Sequence, residues 1–268
     1  MPDTHGGNIF KFSHDHKINL SEVTDFSANI NLLGPSPKGL EALNERLRYI
    51  SHYPDVTNDD VMNTIADVYG IEKDSILLGN GAAELIYAVG RLSGFTGAFV
   101  PAPGFSEYQA SMDAANIPVR EIFYRQRQND DGTPYFEVPY LALQTFAAEL
   151  KGQDGRIIVF LGNPNNPDGT LLDKQSINVL AQMLKDANSL LVIDESFIDF
   201  IGDESLRDNS YSMRELINQY DNVIIVHSFT KFYAVPGLRI GAVFANPTLI
   251  QELRQYIPAW SVNTLAQA

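Results

Sequence analysis

A chain of 268 residues, 44% of them hydrophobic, is long enough for one large domain with a substantial buried core. Its 19 basic and 33 acidic residues leave a formal net charge of −14, which repels phosphodiester backbones and anionic bilayers, so an anionic ligand would need a local basic pocket. No cysteine is present, which excludes disulfides, thiolate metal sites and cysteine nucleophiles together, and no metal is expected.

The first stretch, MPDTHGGNIFKFSHDHK, is polar and lacks the apolar core of a signal peptide. No apolar run approaches the roughly 18 residues of a membrane span. These features predict a soluble, cytoplasmic protein with no nucleic-acid or membrane partner. Residues 1–50 read as an arm: a Pro/Gly-rich segment, NINLLGPSPKG, then a helix, GLEALNERLRYI, then the extended SHYPD. A segment with so little core of its own must lie on something larger.

From about residue 60, short β-rich runs alternate with helical patterns. SILLGNG precedes AAELIYAVGRLSG, in which Leu85, Ile86, Val89 and Leu92 share one helical face. GAFVPAPG precedes FSEYQASMDAAN, and RIIVFLGNPNNPDG leads into DKQSINVLAQMLKDAN, with Asp173 as N-cap and Ile177, Leu180, Ala181 and Leu184 as the buried stripe. SLLVIDESFIDF, a helix over SMRELINQY, and the paired strands NVIIVHSF and LRIGAVFAN follow. The alternation predicts an α/β fold with a mainly parallel mixed sheet and helices on both faces. The domain reading is an arm over 1–50, a large α/β domain over 51–246, and over 247–268 the start of a small C-terminal domain. That last stretch, ending PAWSVNTLAQA, reads as a helix start and is expected to expose Tyr256, Ile257 and Trp260.

In an open parallel sheet, ligands bind beyond the carboxyl ends of the strands. Those ends carry Gly79, Asn80, Gly81 and Ala82 after SILL, Asn163, Asn165 and Asn166 after RIIVF, Asp194 after LLVI, and Lys231 after VIIVHSFT. GNGAAE has Glu84 where a dinucleotide fingerprint carries its third glycine, so it is either a plain turn or a helix N-terminus offering amides, Gly81, Ala82 and Ala83 among them, to one phosphate. Asp194 is either a local helix cap or the anion that keeps a pyridine nitrogen protonated. A lysine at the end of a buried strand, desolvated beside other cations, becomes an amine nucleophile toward an aldehyde. Ser228, Thr230 and Arg239 beside it suit a phosphate. Together these groups describe the needs of pyridoxal 5′-phosphate, with Asn166 for its phenolic oxygen.

NPNNPDG, VIDESFIDF and SFTKFYAVPGLRIG, in that order and with GNGAAE upstream, resemble the fold-type I pyridoxal-phosphate enzymes of the aminotransferase class. The resemblance runs over essentially the whole chain. It implies that Lys231 and Asp194 are catalytic, that Phe105 stacks on the cofactor ring, and that Phe197 lies beside the ring's phenolic oxygen. It also implies a homodimer in which Tyr53 reaches the partner's cofactor phosphate. THGGN and DFSANINLLG resemble the threonine-phosphate decarboxylases more than the histidinol-phosphate aminotransferases, which carry tyrosine where this chain has Phe197. On that resemblance His5, Asn8, Asn29 and Asn31, with Asn166, face a phosphorylated amino acid substrate. It further implies that the small C-terminal domain is missing beyond Ala268.

Overall fold

The computed structural model describes residues 6–150, 155–202 and 206–268. It opens with α1 (Ile9–His16), α2 (Pro37–Arg46) and α3 (Asp59–Tyr69). Neither α1 nor α2 buries a residue, whereas α3 buries Met62, Ile65 and Tyr69. The arm therefore lies on the surface of the α/β body, which begins with α3.

The body continues through β1 (Ile76–Gly79), α4 (Gly81–Val89), β2 (Phe95–Ala102), α5 (Glu107–Ala114) and β3 (Val119–Phe123). Local patterning leaves the next elements unmarked: a hairpin of β4 (Arg125–Gln128) and β5 (Pro134–Glu137), then α6 (Tyr140–Leu150). Next come β6 (Arg156–Gly162), α7 (Lys174–Asp186), β7 (Leu190–Asp194), β8 (Val223–Ser228), the one-turn helix α8 (Phe229–Phe232), β9 (Gly241–Ala245) and α9 (Pro247–Arg254).

A seven-stranded sheet has the order β1-β9-β8-β7-β6-β2-β3, and only the pairings that involve β9 are antiparallel. Because β9 runs backwards between β1 and β8, its first residue, Gly241, stands opposite both Gly79 and Ser228. Gly162 stands opposite Asp194 across β6 and β7. The ends of β1, β8, β7 and β6 and the start of β9 thus share one edge of the sheet.

Two apolar cores flank the sheet. Along β6, Ile158 and Phe160 join one cluster and Ile157, Val159 and Leu161 the other, the alternation a strand imposes when both faces are covered. Each such side chain contributes about 1.5–3 kcal/mol on leaving water. On α7, Ile177, Leu180, Ala181 and Leu184 are all fully buried, and the Asp173 side chain caps the helix by accepting from the Ser176 N–H at 2.8 Å.

Three local expectations are corrected. SMRELINQY forms a 3-10 turn, Arg214–Asn218, not an α-helix. The groups that would start a helix there are drawn to buried Glu195, which accepts from the Ser212 hydroxyl at 2.7 Å and the Met213 N–H at 2.5 Å. At the other end, residues 263–268 close a single turn on the Asn263 side chain, and Val262 and Ala266 enter the core. The Gln267 amide both donates to and accepts from the backbone of Asp55. Tyr256 and Ile257, expected to be exposed, are half-buried against the second core, whereas Trp260 is exposed as expected, at 49%, and stacks on Tyr53 at 4.7 Å.

Candidate active site

The shared sheet edge gathers the side chains that sequence spacing could only nominate. Ala82, Ala83, Phe105, Asn166, Asp194, Phe197, Ser228, Thr230, Lys231 and Arg239 line one cavity of about 110 Å³. They arrive from six segments: the start of α4 (Ala82, Ala83), the loop after β2 (Phe105), the loop after β6 (Asn166), the end of β7 with the turn behind it (Asp194, Phe197), the end of β8 with α8 (Ser228, Thr230, Lys231), and the turn before β9 (Arg239).

Three features at one end of this cavity suit a phosphate. The Ser228 and Thr230 hydroxyls lie 2.8 Å apart. Arg239, in the left-handed region at φ 55, brings its guanidinium against the backbone of Gly81. Gly81 has φ +80, and a Cβ placed on it would stand 2.3 Å from Arg239 Nη2. Glycine is required there twice over, for its backbone conformation and for the space the cation fills. Gly241 is needed for a similar reason, since a Cβ on it would lie 2.5 Å from the Ala82 nitrogen. The two glycines let β9, Arg239 and the N-terminus of α4 close on one another. Glu84 does not interrupt this arrangement, because its carboxylate accepts from the Asn80 N–H at 2.7 Å and from the Ser261 hydroxyl.

Lys231 is partly buried beside this cluster, with Nζ 6.0 Å from the centroid of the Phe197 ring. Burial pushes its ammonium below the ordinary lysine value, the Arg239 guanidinium pushes the same way, and Asp194 opposes both. The amine is thereby shifted toward its nucleophilic neutral form.

Asp194 is 7% exposed. Its Oδ1 accepts from the Ser196 N–H at 2.9 Å, and its Oδ2 accepts from the Tyr108 hydroxyl at 2.8 Å. Tyr108 and Ser196 also line the cavity, and sequence reasoning missed both. Tyr108 stands three residues after Phe105, and its N–H donates to the Phe105 carbonyl at 3.2 Å, so the turn that leads into α5 brings the two rings together.

None of the described arm residues lines this cavity. His5 lies outside the described residues. The Asn8 side chain caps α1 by accepting from the Lys11 N–H at 3.1 Å, and Asn29 is exposed. Asn31 donates its side-chain amide to the Phe232 carbonyl at 2.8 Å and its backbone N–H to the Lys231 carbonyl at 3.1 Å. Its side chain therefore ties the arm to the back of the lysine turn. Tyr53 is 80% exposed and outside the cavity. Gly7 donates to the Ser27 hydroxyl at 2.7 Å, which holds the Gly-Gly pair against the arm.

The donor set fits pyridoxal 5′-phosphate: a neutralisable amine for the aldehyde, a fixed carboxylate for the ring nitrogen, an aromatic ring for its face, and a cation with two hydroxyls for the phosphate. Gly81 supplies the decisive observation, because the space it leaves is what admits the Arg239 guanidinium.

The fold and this site define a class of protein, and comparison with known families agrees: the family model of aminotransferase class I and II matches residues 21–268, and the chain belongs to that family. Among curated relatives, it is 34% identical to a putative threonine-phosphate decarboxylase of Caldanaerobacter subterraneus, over 100% of this chain and 66% of that protein. It is 32% identical to the threonine-phosphate decarboxylase of Salmonella typhimurium, over 98% of this chain and 67% of that one. It is also 28% identical to the histidinol-phosphate aminotransferase of Methanothermobacter thermautotrophicus, over 100% of this chain and 66% of that protein. Among solved structures, the histidinol-phosphate aminotransferase of Clostridium acetobutylicum superposes with a TM-score of 0.76 at 26% identity, covering 91% of this chain and 67% of that one. The chain thus spans about two thirds of the length of these relatives. No helix among the described residues is long and apolar enough to cross a membrane.

Proposed function

We propose that the chain carries the pyridoxal-phosphate site of an enzyme that decarboxylates L-threonine O-3-phosphate to (R)-1-amino-2-propanol O-2-phosphate, a step of cobalamin biosynthesis. The single observation behind this reading is that Lys231, with its lowered pKa, shares one cavity with Asp194, Phe105 and the Ser228–Thr230–Arg239 cluster. One feature favours decarboxylation over transamination: Phe197 offers no hydroxyl to a ring oxygen. Sequence identity does not separate the two, since relatives bearing the decarboxylase name are 34% and 32% identical and relatives bearing the aminotransferase name 28% and 32%.

When bound, the cofactor supplies an electron sink for the charge left on the substrate Cα after a bond there breaks. In this reading Lys231 would hold the cofactor through its aldehyde, and its amine would be the group placed to give or take a proton at that carbon. Asp194 would hold the proton on the ring nitrogen, Asn166 would donate to the phenolic oxygen, and Phe105 would cover one ring face. Arg239 and the two hydroxyls would hold the phosphate, with the amides of Gly81, Ala82 and Ala83 as further donors. The bond that breaks is chosen by where the substrate's own phosphate and carboxylate are anchored. Of the arm residues proposed for that task, the Asn8 carboxamide accepts from the Lys11 N–H and the Asn31 carboxamide donates to the Phe232 carbonyl, each with capacity for a further partner, and Asn29 is exposed. A second copy of the chain is part of the proposal. Phe26, Leu32 and Leu33 on the arm are 93%, 97% and 91% exposed, apolar area that suits an interface, and Tyr53 faces outward with them.

The test is release of CO2 from threonine phosphate by the full-length protein without any 2-oxoglutarate. Activity that appears only when the amino acceptor is added would replace the decarboxylase with an aminotransferase acting on an amino alcohol phosphate such as histidinol phosphate. Sedimentation of the same preparation as a monomer would remove the dimer.

A further inference from the structure

We infer that Tyr108 is a positioning residue that fixes the Asp194 carboxylate, so that the site recognises a ring nitrogen and discriminates against an all-carbon ring of the same shape. The inference deepens the cofactor reading above and rests on it. An ionised carboxylate offers about four lone-pair sites. Asp194 uses one on each oxygen, toward Ser196 N–H at 2.9 Å and Tyr108 O–H at 2.8 Å, and keeps capacity for a third donor from the cavity. The terminal torsion of aspartate is broad, so the carboxylate plane is set by its partners and not by a rotamer well. The backbone donor follows directly from the chain's path after β7. Tyr108 is the half of the clamp that a side chain supplies.

The geometry holds that side chain in place for the task. The Tyr108 ring is 3% exposed, stacked on Phe160 at 5.1 Å with 13° between planes, and meets Phe105 edge-on at 5.6 Å and 85°. Burial first, and the Asp194 charge second, raise the phenol well above its ordinary range, so its proton stays in place and donates. Losing the hydroxyl leaves Asp194 with one fixed oxygen. A ring N–H then meets a carboxylate free to turn away, whereas a ring carrying C–H at that position has nothing to lose. Packing alone would treat the two rings alike.

The test compares the affinity of the cofactor-free protein for pyridoxal 5′-phosphate and for its 1-deaza analogue, in the natural sequence and in Tyr108→Phe. The hydroxyl's loss is expected to weaken pyridoxal-phosphate binding and leave the analogue unchanged, so that the preference ratio falls at least about tenfold. Equal weakening of both ligands, loss of both, or no change in either would overturn the inference by giving Tyr108 a packing role or none. A natural sequence that binds neither ligand would instead defeat the cofactor reading, a result separable from failure of Tyr108.

Discussion

Replacing Gly81 by alanine tests the phosphate end of the site most directly. Two penalties add. A residue with a Cβ in the left-handed region at φ +80 costs about 1–2 kcal/mol. The new methyl would also stand 2.3 Å from Arg239 Nη2 and 2.8 Å from its Cζ, so the guanidinium must retreat by about 1 Å to reach ordinary contact. The backbone term predicts a fall in melting temperature of about 2–8 °C for the cofactor-free protein. Displacing the cation from the phosphate removes a charge-assisted hydrogen bond worth about 1.5–3 kcal/mol, or roughly 10- to 150-fold in affinity for pyridoxal 5′-phosphate. Thermal unfolding by circular dichroism reads the first effect, and cofactor titration reads the second. Unchanged affinity in a folded Gly81→Ala variant would refute the argument that Arg239 holds the phosphate through the space Gly81 leaves.

Three further outcomes are expected. Lys231→Ala should lose the visible absorbance of the lysine-bound cofactor, and a variant that keeps the band would show that another amine carries it. Without cofactor, Lys231→Met should melt above the natural sequence at neutral pH. The native lysine's pKa lies below the unfolded value of 10.5, so the unfolded chain binds more protons across that window and native stability rises with pH there. The gap should therefore close as pH climbs toward 10.5, and a gap that widens instead would contradict the lowered pKa. Asp199→Ala should destabilise by about 1–3 kcal/mol, because it removes a buried carboxylate acceptor from its neighbours. Asp199 Oδ2 accepts from the Tyr69 hydroxyl at 2.9 Å and lies 3.1 Å from His227 Nε2. Denaturant titration that finds no loss would show that these contacts contribute nothing to stability.

Much of the fold was legible because burial leaves a period in the sequence. The apolar runs RIIVF and LLVI marked strands covered on both faces, and the stripe on α7 with its Asp173 cap marked a helix, because each side chain there answers to its local environment. Residues 212–220 failed the same test. Their helical pattern lost to Glu195, a group distant in sequence that claimed the capping donors. The hairpin of β4 and β5 left no signal either, since its strands are mostly exposed and carry no alternation.

The site divides along the same line. Residue type and strand order limited the chemistry that was possible: a carboxylate and an amine at successive strand ends, an arginine just ahead of the next strand, and glycine at the turn. Tertiary structure alone decided how those groups are oriented. It set Tyr108 against Asp194 and the Gly81 backbone against Arg239, and it tied the Asn31 side chain to the lysine turn. The physical reason is that residue type and strand order fix which groups reach the sheet edge, whereas hydrogen-bond partners far apart in sequence are chosen only when packing brings them within 3 Å or so of one another.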